Sequence, residues 1–424
     1  MVKLAVIADD LSGAGDSGLQ FAKRCLRTVV LIDPGAAIDL ARDEEPEVVV
    51  FDTDSRQVPS AEANRRVRDA AWAVRRLGAP IIYKKIDSTL RGNLGAEIAT
   101  LLDVFPGAGA IVAPSFPAAG RSVVGGRLYV RGVELSASEV ALDPIWPMTD
   151  SRAAMVVRRQ SWLRVGEIPL EVVRGGPDAI LASAEEHYGD GRPICVADAE
   201  TTEDLASIAR AIALRSGRLI GVGSAGLAEE YPAALGLVGE GGSEPGRTRS
   251  SVLPALVAVG SVNPVSRRQL AASVEAGAMA VQLRAERLKG TGDAEVVSAS
   301  AEAVAAIRSG RSAALSLEGE TVDELEDPVE ASLRLAAALG RAVAAALEGC
   351  EVSGLVLTGG DTARAVALAL GARGLLVERE VLPGIPQSRL LGGSRPGLAV
   401  VTKAGGFGDD GCLAEAVRFL RFGQ

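Results

Sequence analysis

The sequence predicts an α/β protein of two domains, each with a mainly parallel sheet flanked by helices, and a site in the cleft between them. Three observations carry that expectation. The chain has 424 residues, more than one core of ordinary size holds. Short apolar runs of Val, Ile, Leu and Ala alternate with longer helical segments, the pattern of βα units whose strands are buried on both faces. The segment Gly239–Ser251, rich in Gly, Ser and Arg, reads as a linker between domains 1–240 and 250–424.

Composition narrows the classes. A formal charge of -9 with no basic patch interleaved with aromatics argues against a nucleic-acid partner. The arginines at 152, 158, 159 and 164 read as a solvated face. No run of about 20 uncharged apolar residues suggests a membrane span, and Leu4–Ala8 is closed at once by Asp9 and Asp10, unlike a signal peptide. Cys25, Cys195, Cys350 and Cys412 are scattered without a C-x-x-C, which fits core thiols in a reduced, cytoplasmic setting. The single histidine, His187, sits at a polar helix end, which leaves no support for a Ser-His-Asp, Cys-His or His-rich zinc site.

Residues 3–8 form the first expected strand. The chain then turns through Asp9–Gly18 into an amphipathic segment, Leu19–Leu26. Asp9, Asp10 and Asp16 crowd that turn, and bunched carboxylates are costly unless a cation, a proton or a substrate donor answers them. Thr28–Ile32 and Glu47–Phe51 read as further strands, the second ending in the polar D-T-D-S-R, and Ser60–Leu77 as a helix. Ile81–Tyr83 is a strand whose exit gathers Lys84, Lys85, Asp87, Ser88, Thr89, Arg91 and Asn93 before a helix at 94–104. Two lysines, an arginine and hydroxyls can clamp an oxyanion, while Asp87 can orient an alcohol or take its proton. Ala110–Ala113 is another strand, and the alternation in R-L-Y-V-R suggests a small hairpin, either a rim over the substrate or a homodimer contact.

Residues 192–197 and 218–222 complete the domain's strands, with a capped helix at Leu205–Leu214 between them. Gly221–Gly226 is formally G-x-G-x-x-G, but no second strand ending in an acidic residue follows, so a nicotinamide-dependent oxidoreductase is the weaker alternative. A non-catalytic small-molecule-binding protein is another. Ser224 could lie near a substrate.

In the C-terminal domain three expected strands end in donor-rich turns. They deliver Gly260, Ser261 and Asn263; Thr358, Gly359, Gly360, Asp361 and Thr362; and Lys403, Gly405 and Gly406. Leu355–Leu357 runs into a helix opened by Asp361 and Thr362, so free backbone N–H groups around the glycines form an anion site. No G-x-x-x-x-G-K-[ST] is present, which excludes a P-loop. Donor-lined turns opposite a domain of carboxylates and cations suit phosphoryl transfer with ATP and Mg²⁺, the metal held by few protein ligands, Asp361 among them.

At these residues the chain resembles the four-carbon acid-sugar kinases, through I-A-D-D-L-S-G-A-G-D (Ile7–Asp16), K-K-I-D-S-T-L-R-G-N (Lys84–Asn93), G-S-V-N-P (Gly260–Pro264), T-G-G-D-T-A (Thr358–Ala363) and K-A-G-G-F-G (Lys403–Gly408). The resemblance spans essentially the whole chain. It implies ATP-dependent phosphorylation, at O4, of D-threonate, D-erythronate or 3-oxo-tetronate, with the acid on the N-terminal domain and ATP on the C-terminal one. Carried over by motif, Asp10, Lys85, Asp87, Ser88 and Arg91 belong to the substrate side. Ser261, Gly359–Thr362 and Gly405 belong to the nucleotide side. Asp9, Lys84 and Asn93 join the first group, and Asn263, Thr358, Lys403 and Gly406 the second, from their places at strand ends. Ser12 stands where the family commonly has Thr, and Ala404 where Ser is usual, which removes one phosphate donor. Asp10 is favoured over Asp87 as the base, with Arg91 beside it in the catalytic group; alternatively, every carboxylate only positions substrate or Mg²⁺.

Overall fold

Every apolar run read as a strand in the first 240 residues lies in one sheet of the computed structural model. The structure describes residues 1–143, 146–188, 193–239, 252–261, 263–288, 293–318 and 327–423. It divides into two units, Met1–Gly241 and Gly242–Gln424. Apart from Gly239, the expected linker falls outside the described residues.

The first unit's strands are β1 (Leu4–Ala8), β2 (Thr28–Leu31), β3 (Val48–Asp52), β4 (Ile81–Lys85), β5 (Gly109–Ala113), β6 (Arg121–Val124), β7 (Arg127–Val130), β8 (Val133–Glu134), β9 (Val165–Ile168), β10 (Ile194–Ala197) and β11 (Leu219–Gly223). Eight of them pair in the order β2-β3-β1-β4-β11-β5-β10-β9, all parallel. Their carboxyl ends therefore share one edge. Burial explains the unbroken apolar runs, since β1, β3 and β5 are buried at every position. The expected hairpin is present, as β6 and β7 extended by β8 into a small antiparallel sheet.

One expectation is overturned here. Asp9–Gly18 is not a turn before a helix at Leu19: the helix spans Leu11–Ala22 and begins directly after Asp10. Asp10 caps it, and Gly13, Gly15 and Gly18 are buried inside it. A Cβ at Gly13 would lie 2.5 Å from Asp10 Oδ1 and 2.6 Å from Lys85 Nζ, so close approach to charged groups, rather than flexibility, is why glycine stands there.

The second unit contains β12 (Leu256–Val259), β13 (Met279–Arg284), β14 (Ala313–Glu318), β15 (Leu355–Thr358), β16 (Ala372–Leu382), β17 (Ile385–Gly392) and β18 (Ala399–Lys403). The order is β13-β14-β12-β15-β18-β17-β16, parallel from β13 to β18 and antiparallel from there to β16. A buried cluster including Val257, Val356 and Val401 joins this sheet to Leu413 and Leu420 of the Cys412–Phe422 helix. Among the described residues no helix is long and apolar enough to cross a membrane.

The helix Thr202–Leu214 opens with a reciprocal cap: Thr201 Oγ1 accepts from Asp204 N–H, and Asp204 accepts from the Thr201 backbone. Thr201→Ala should lower the first unit's stability by about 1 kcal/mol, measured as an earlier urea midpoint for its unfolding step; an unchanged midpoint would show that the cap contributes nothing.

Candidate active site

In the first unit the chain leaves β1 toward β2 and β3 but leaves β4 toward β5 on the other side. The loops after β1 and β4 diverge, and parallel α/β sheets bind ligands in the crevice so formed. Ala8 pairs with Lys85 and with Asp52, so Asp9, Thr53 and Ile86 emerge level with one another. Asp10, extended at φ -148°, accepts the Gly13 N–H through Oδ1 at 3.0 Å. Ser12, in the first turn, is 7 % exposed, and its hydroxyl has no hydrogen-bond partner among the described residues.

A guanidinium that sequence reasoning missed ties the carboxylates together. Arg56, after β3, donates from Nε and Nη2 to both oxygens of Asp9 at 2.7 and 2.9 Å, and from Nη2 to Asp10 Oδ1 at 2.7 Å. Its Nη1 lies 3.9 Å from Asp87 Oδ1. The D-T-D-S-R signal was visible, but it needed β3 to pair beside β1 before it pointed at Asp10. Burial would raise the Asp9 carboxyl, yet Arg56, with Lys84 and Lys85 behind it, holds it below its ordinary value.

Asp87 is clamped more firmly. Arg91 donates to both its oxygens at 3.0 Å, and the Thr89 hydroxyl and N–H both donate to Oδ2. Burial opposes ionisation, but Arg91 and Arg56 together hold this carboxyl well below the usual carboxylate range. A carboxylate so committed makes a poor proton acceptor. By contrast Asp10 Oδ2 accepts no hydrogen bond among the described residues. Arg91 reaches on to Asp143 at 3.0 Å.

The two adjacent lysines part company because successive strand residues face opposite sides. Lys84 is 0 % exposed and pairs at 2.8 Å with Glu97 of the Leu94–Val104 helix. Burial pushes Glu97 up against the attraction of Lys84, and removing either partner of such a pair costs about 3–5 kcal/mol. The expected substrate contact from Lys84 is therefore replaced by a sealed ion pair. Lys85, beside the first turn of the Leu11–Ala22 helix, is 5 % exposed, and its ammonium forms no hydrogen bond or ion pair among the described residues. Asn93 is also structural: its amide donates to the carbonyls of Ser55 and Val58, fixing the loop that carries Arg56. Ser88, in the loop after β4, is half-buried. Asp16 lies further along the helix, away from the strand end.

Gly221–Gly226 is a packing motif in this structure. A Cβ at Gly221 would meet the Tyr231 ring, at Gly223 the Ala113 carbonyl, and at Gly226 the Ser115 carbonyl, so all three glycines serve packing. Ser224 is 1 % exposed, caps the Ala225–Ala234 helix and donates to the Ser115 carbonyl at 2.7 Å. Its hydroxyl is committed to the framework.

In the second unit the chain departs in opposite directions from the neighbours β12 and β15, again leaving a crevice at their carboxyl ends. Gly359, at φ +99°, caps the Gly360–Ala369 helix without a side chain, so that helix's first N–H groups have no cap acceptor. A Cβ at Gly260 would collide with Thr362 Oγ1, and one at Gly405 would lie 2.5 Å from Ser261 Oγ. Gly260, Ser261, Gly359, Thr362 and Gly405 thus converge. Asp361 and Gly360 stand in the first helical turn, and Gly406 lies beside the Asn263 amide. Asn263 caps the Pro264–Glu275 helix through Oδ1.

Two expected ligand contacts here are turned to framework. Lys403 is 2 % exposed and its Nζ donates to the carbonyls of Ala404, Gly405 and Phe407 at 2.9, 3.2 and 3.0 Å, so it shapes the K-A-G-G-F-G turn from beneath. Burial lowers its pKa to about 8. Thr358 is fully buried at the end of β15. Among the described residues no three His, Cys, Asp or Glu side chains gather as a metal cluster.

A family model described as a sugar-binding N-terminal domain matches residues 4–231, and one described as a nucleotide-binding C-terminal domain matches residues 256–413. A D-threonate kinase of Salmonella typhimurium is 36% identical over 433 residues, covering 99% of this chain and 98% of its own. A D-erythronate kinase of Heliobacterium modesticaldum is 33% identical, covering 99% and 97%. A 3-oxo-tetronate kinase of Methylobacterium radiotolerans is 31% identical, covering 96% of each. A solved structure of a Salmonella typhimurium protein, 24% identical, superposes with a TM-score of 0.79 over 99% of both chains and shares the fold.

The Asp87–Arg91 clamp has a pH signature. Asp87 titrates below its ordinary 3.8 when folded, so the clamp's stabilisation is complete above about pH 5 and is lost as pH falls through the folded value. Arg91→Met should therefore lower the melting temperature most near pH 7, and the gap from the unsubstituted protein should narrow below about pH 3. A gap that widens on acidification would contradict the assignment.

Proposed function

This chain belongs to the family with a sugar-binding N-terminal and a nucleotide-binding C-terminal domain, and on that premise we propose that it is an ATP-dependent kinase phosphorylating a four-carbon sugar acid at O4. The acid is D-threonate, D-erythronate or 3-oxo-tetronate, the substrates named for the curated relatives.

One observation supports the reading above others: Lys85 is a buried ammonium without an acceptor among the described residues, next to a carboxylate with one uncommitted oxygen. A buried ammonium that donates no hydrogen bond is costly even near a carboxylate, so a ligand that brings an acceptor to Lys85 is favoured there. A sugar acid brings a carboxylate for Lys85 and hydroxyls for Ser12 and Asp10. Asp10 Oδ2 takes the proton of the acceptor alcohol, and Asp9, Asp87, Ser88 and Arg91 shape the surrounding wall. In the second unit, backbone N–H groups at Gly359–Thr362, with Ser261 and the 405–406 turn, receive the phosphates. Lys403, Thr358 and Asn263 hold those turns in shape.

A magnesium ion carried by phosphates takes one or two carboxylates and keeps water for its remaining positions. Asp361, the acidic residue in the first turn of the Gly360–Ala369 helix, fits that demand. Asp361 would hold the ion, and the ion would neutralise phosphate charge.

A coupled assay for ADP release with the three acids tests the reading. Release that depends on one of them is expected, and ATP turnover indifferent to all three would sink it. Asp10→Asn should lower kcat by roughly 10²–10⁴-fold with KM for the acid nearly unchanged; near-normal turnover at saturating acid would remove Asp10 as base. Gly260→Ala, whose methyl meets Thr362 Oγ1, should weaken ATP binding by calorimetry while leaving acid binding intact. Equal loss of both would show that the turn does not serve the nucleotide.

A further inference from the structure

We infer that Arg56 is a positioning residue: its guanidinium and the Gly13 N–H saturate Asp10 Oδ1, which leaves Oδ2 as the oxygen presented to the acceptor alcohol. The inference rests on the kinase reading above and adds to it a residue outside every motif that carries the family resemblance.

A carboxylate at a helix cap can rotate about χ2 and exchange its two oxygens. Here the exchange is blocked from two sides. Gly13 N–H holds Oδ1 at 3.0 Å and Arg56 Nη2 holds the same atom at 2.7 Å. The guanidinium cannot drift with the carboxylate, because its Nε and the same Nη2 are bound bidentately by Asp9, a side chain 4% exposed at the end of β1. A planar fork fixes direction in a way a single ammonium cannot.

The segment carrying Arg56 is itself pinned. The backbone N–H groups of Ser55 and Arg56 donate to the Asp9 carbonyl at 2.9 and 3.2 Å. Asn93 donates to the Ser55 and Val58 carbonyls at 3.0 and 2.9 Å. Gly92, at φ +101°, packs against the side chain, and a Cβ there would stand 3.2 Å from Arg56 Cγ. A line of contacts thus runs from the loop after β4, through the loop after β3, to the cap after β1. Three separate strand ends converge on one oxygen atom.

Arg56→Ala leaves Asp9 buried without its partner and can fail to fold, so the informative variants are Arg56→Lys, which keeps the charge but loses the fork, and Asn93→Ala, which loosens the loop and touches neither carboxylate. Steady-state kinetics with the acid that the wild type phosphorylates should show kcat lowered roughly 10- to 100-fold in Arg56→Lys, the scale of lost support for a reacting group. KM for the acid should stay within a few-fold. Asn93→Ala should lower kcat in the same direction by less, with the protein still folded by circular dichroism at the assay temperature. Full activity in Arg56→Lys would overturn the inference, and so would a loss confined to KM, which would make Arg56 a substrate ligand.

A crystal structure of Arg56→Lys separates this claim from the kinase reading. The inference predicts that Asp10 leaves its contact with Gly13 N, and an unmoved carboxylate contradicts it even if no acid proves to be a substrate. Failure of the wild type with every four-carbon acid would instead defeat the kinase reading alone.

Discussion

The first unit's site depends on how unevenly a few cations are shared among crowded carboxylates. Asp9, Asp10 and Asp87 all emerge at one sheet edge, where their mutual repulsion would oppose folding if each stood alone. Arg56 serves all three, with hydrogen bonds to the first two and a 3.9 Å approach to the third, and Arg91 clamps Asp87 a second time. The sharing is uneven, and that unevenness gives the site its chemistry. Asp87 is held by a bidentate guanidinium and by Thr89, whereas Asp10 has one oxygen occupied and one left over. Two carboxylates of the same type thus differ, one committed on both oxygens to its loop and one with an oxygen to spare. Burial makes the difference matter, because each hydrogen bond counts for more where water cannot replace it.

The second unit, as the proposed home of the phosphates, would face another problem, receiving an anion with Lys403 turned away from it. Its cation is turned inward, with Lys403 spending its three donors on loop carbonyls. What faces outward is backbone: the uncapped start of the Gly360–Ala369 helix and the glycine turns next to Ser261 and Thr362. Such a surface depends on glycine sterically. At Gly260 and Gly405 there is no room for a methyl group, and at Gly359 the positive φ disfavours any other residue.

Much of this was legible in the sequence, for reasons that individual residues make clear. Parallel strands buried on both faces appear as unbroken apolar runs, so β1, β3, β5 and β15 could be read directly. The strands β16 and β17 were not, because polar residues such as Arg379, Gln387 and Arg389 interrupt an antiparallel pair. The glycines of Leu11–Ala22 suggested a turn, since sequence alone does not distinguish a glycine needed for φ from one needed for close packing. Lys84 and Lys85 looked equivalent until the strand's alternation sent one to Glu97 and the other to the crevice. Arg56 stood 46 residues from Asp10, and only the pairing of β3 beside β1 brings the two together.

The central claim is that Lys85 and Asp10 receive the two ends of a sugar acid. A crystal structure of the protein with the phosphorylated acid's unreacted parent, without nucleotide, tests it most directly. The account predicts a carboxylate oxygen within about 3 Å of Lys85 Nζ and a substrate hydroxyl at the same range from Asp10 Oδ2. An acid bound with its carboxylate on Arg91, and Lys85 still without a partner, would contradict it.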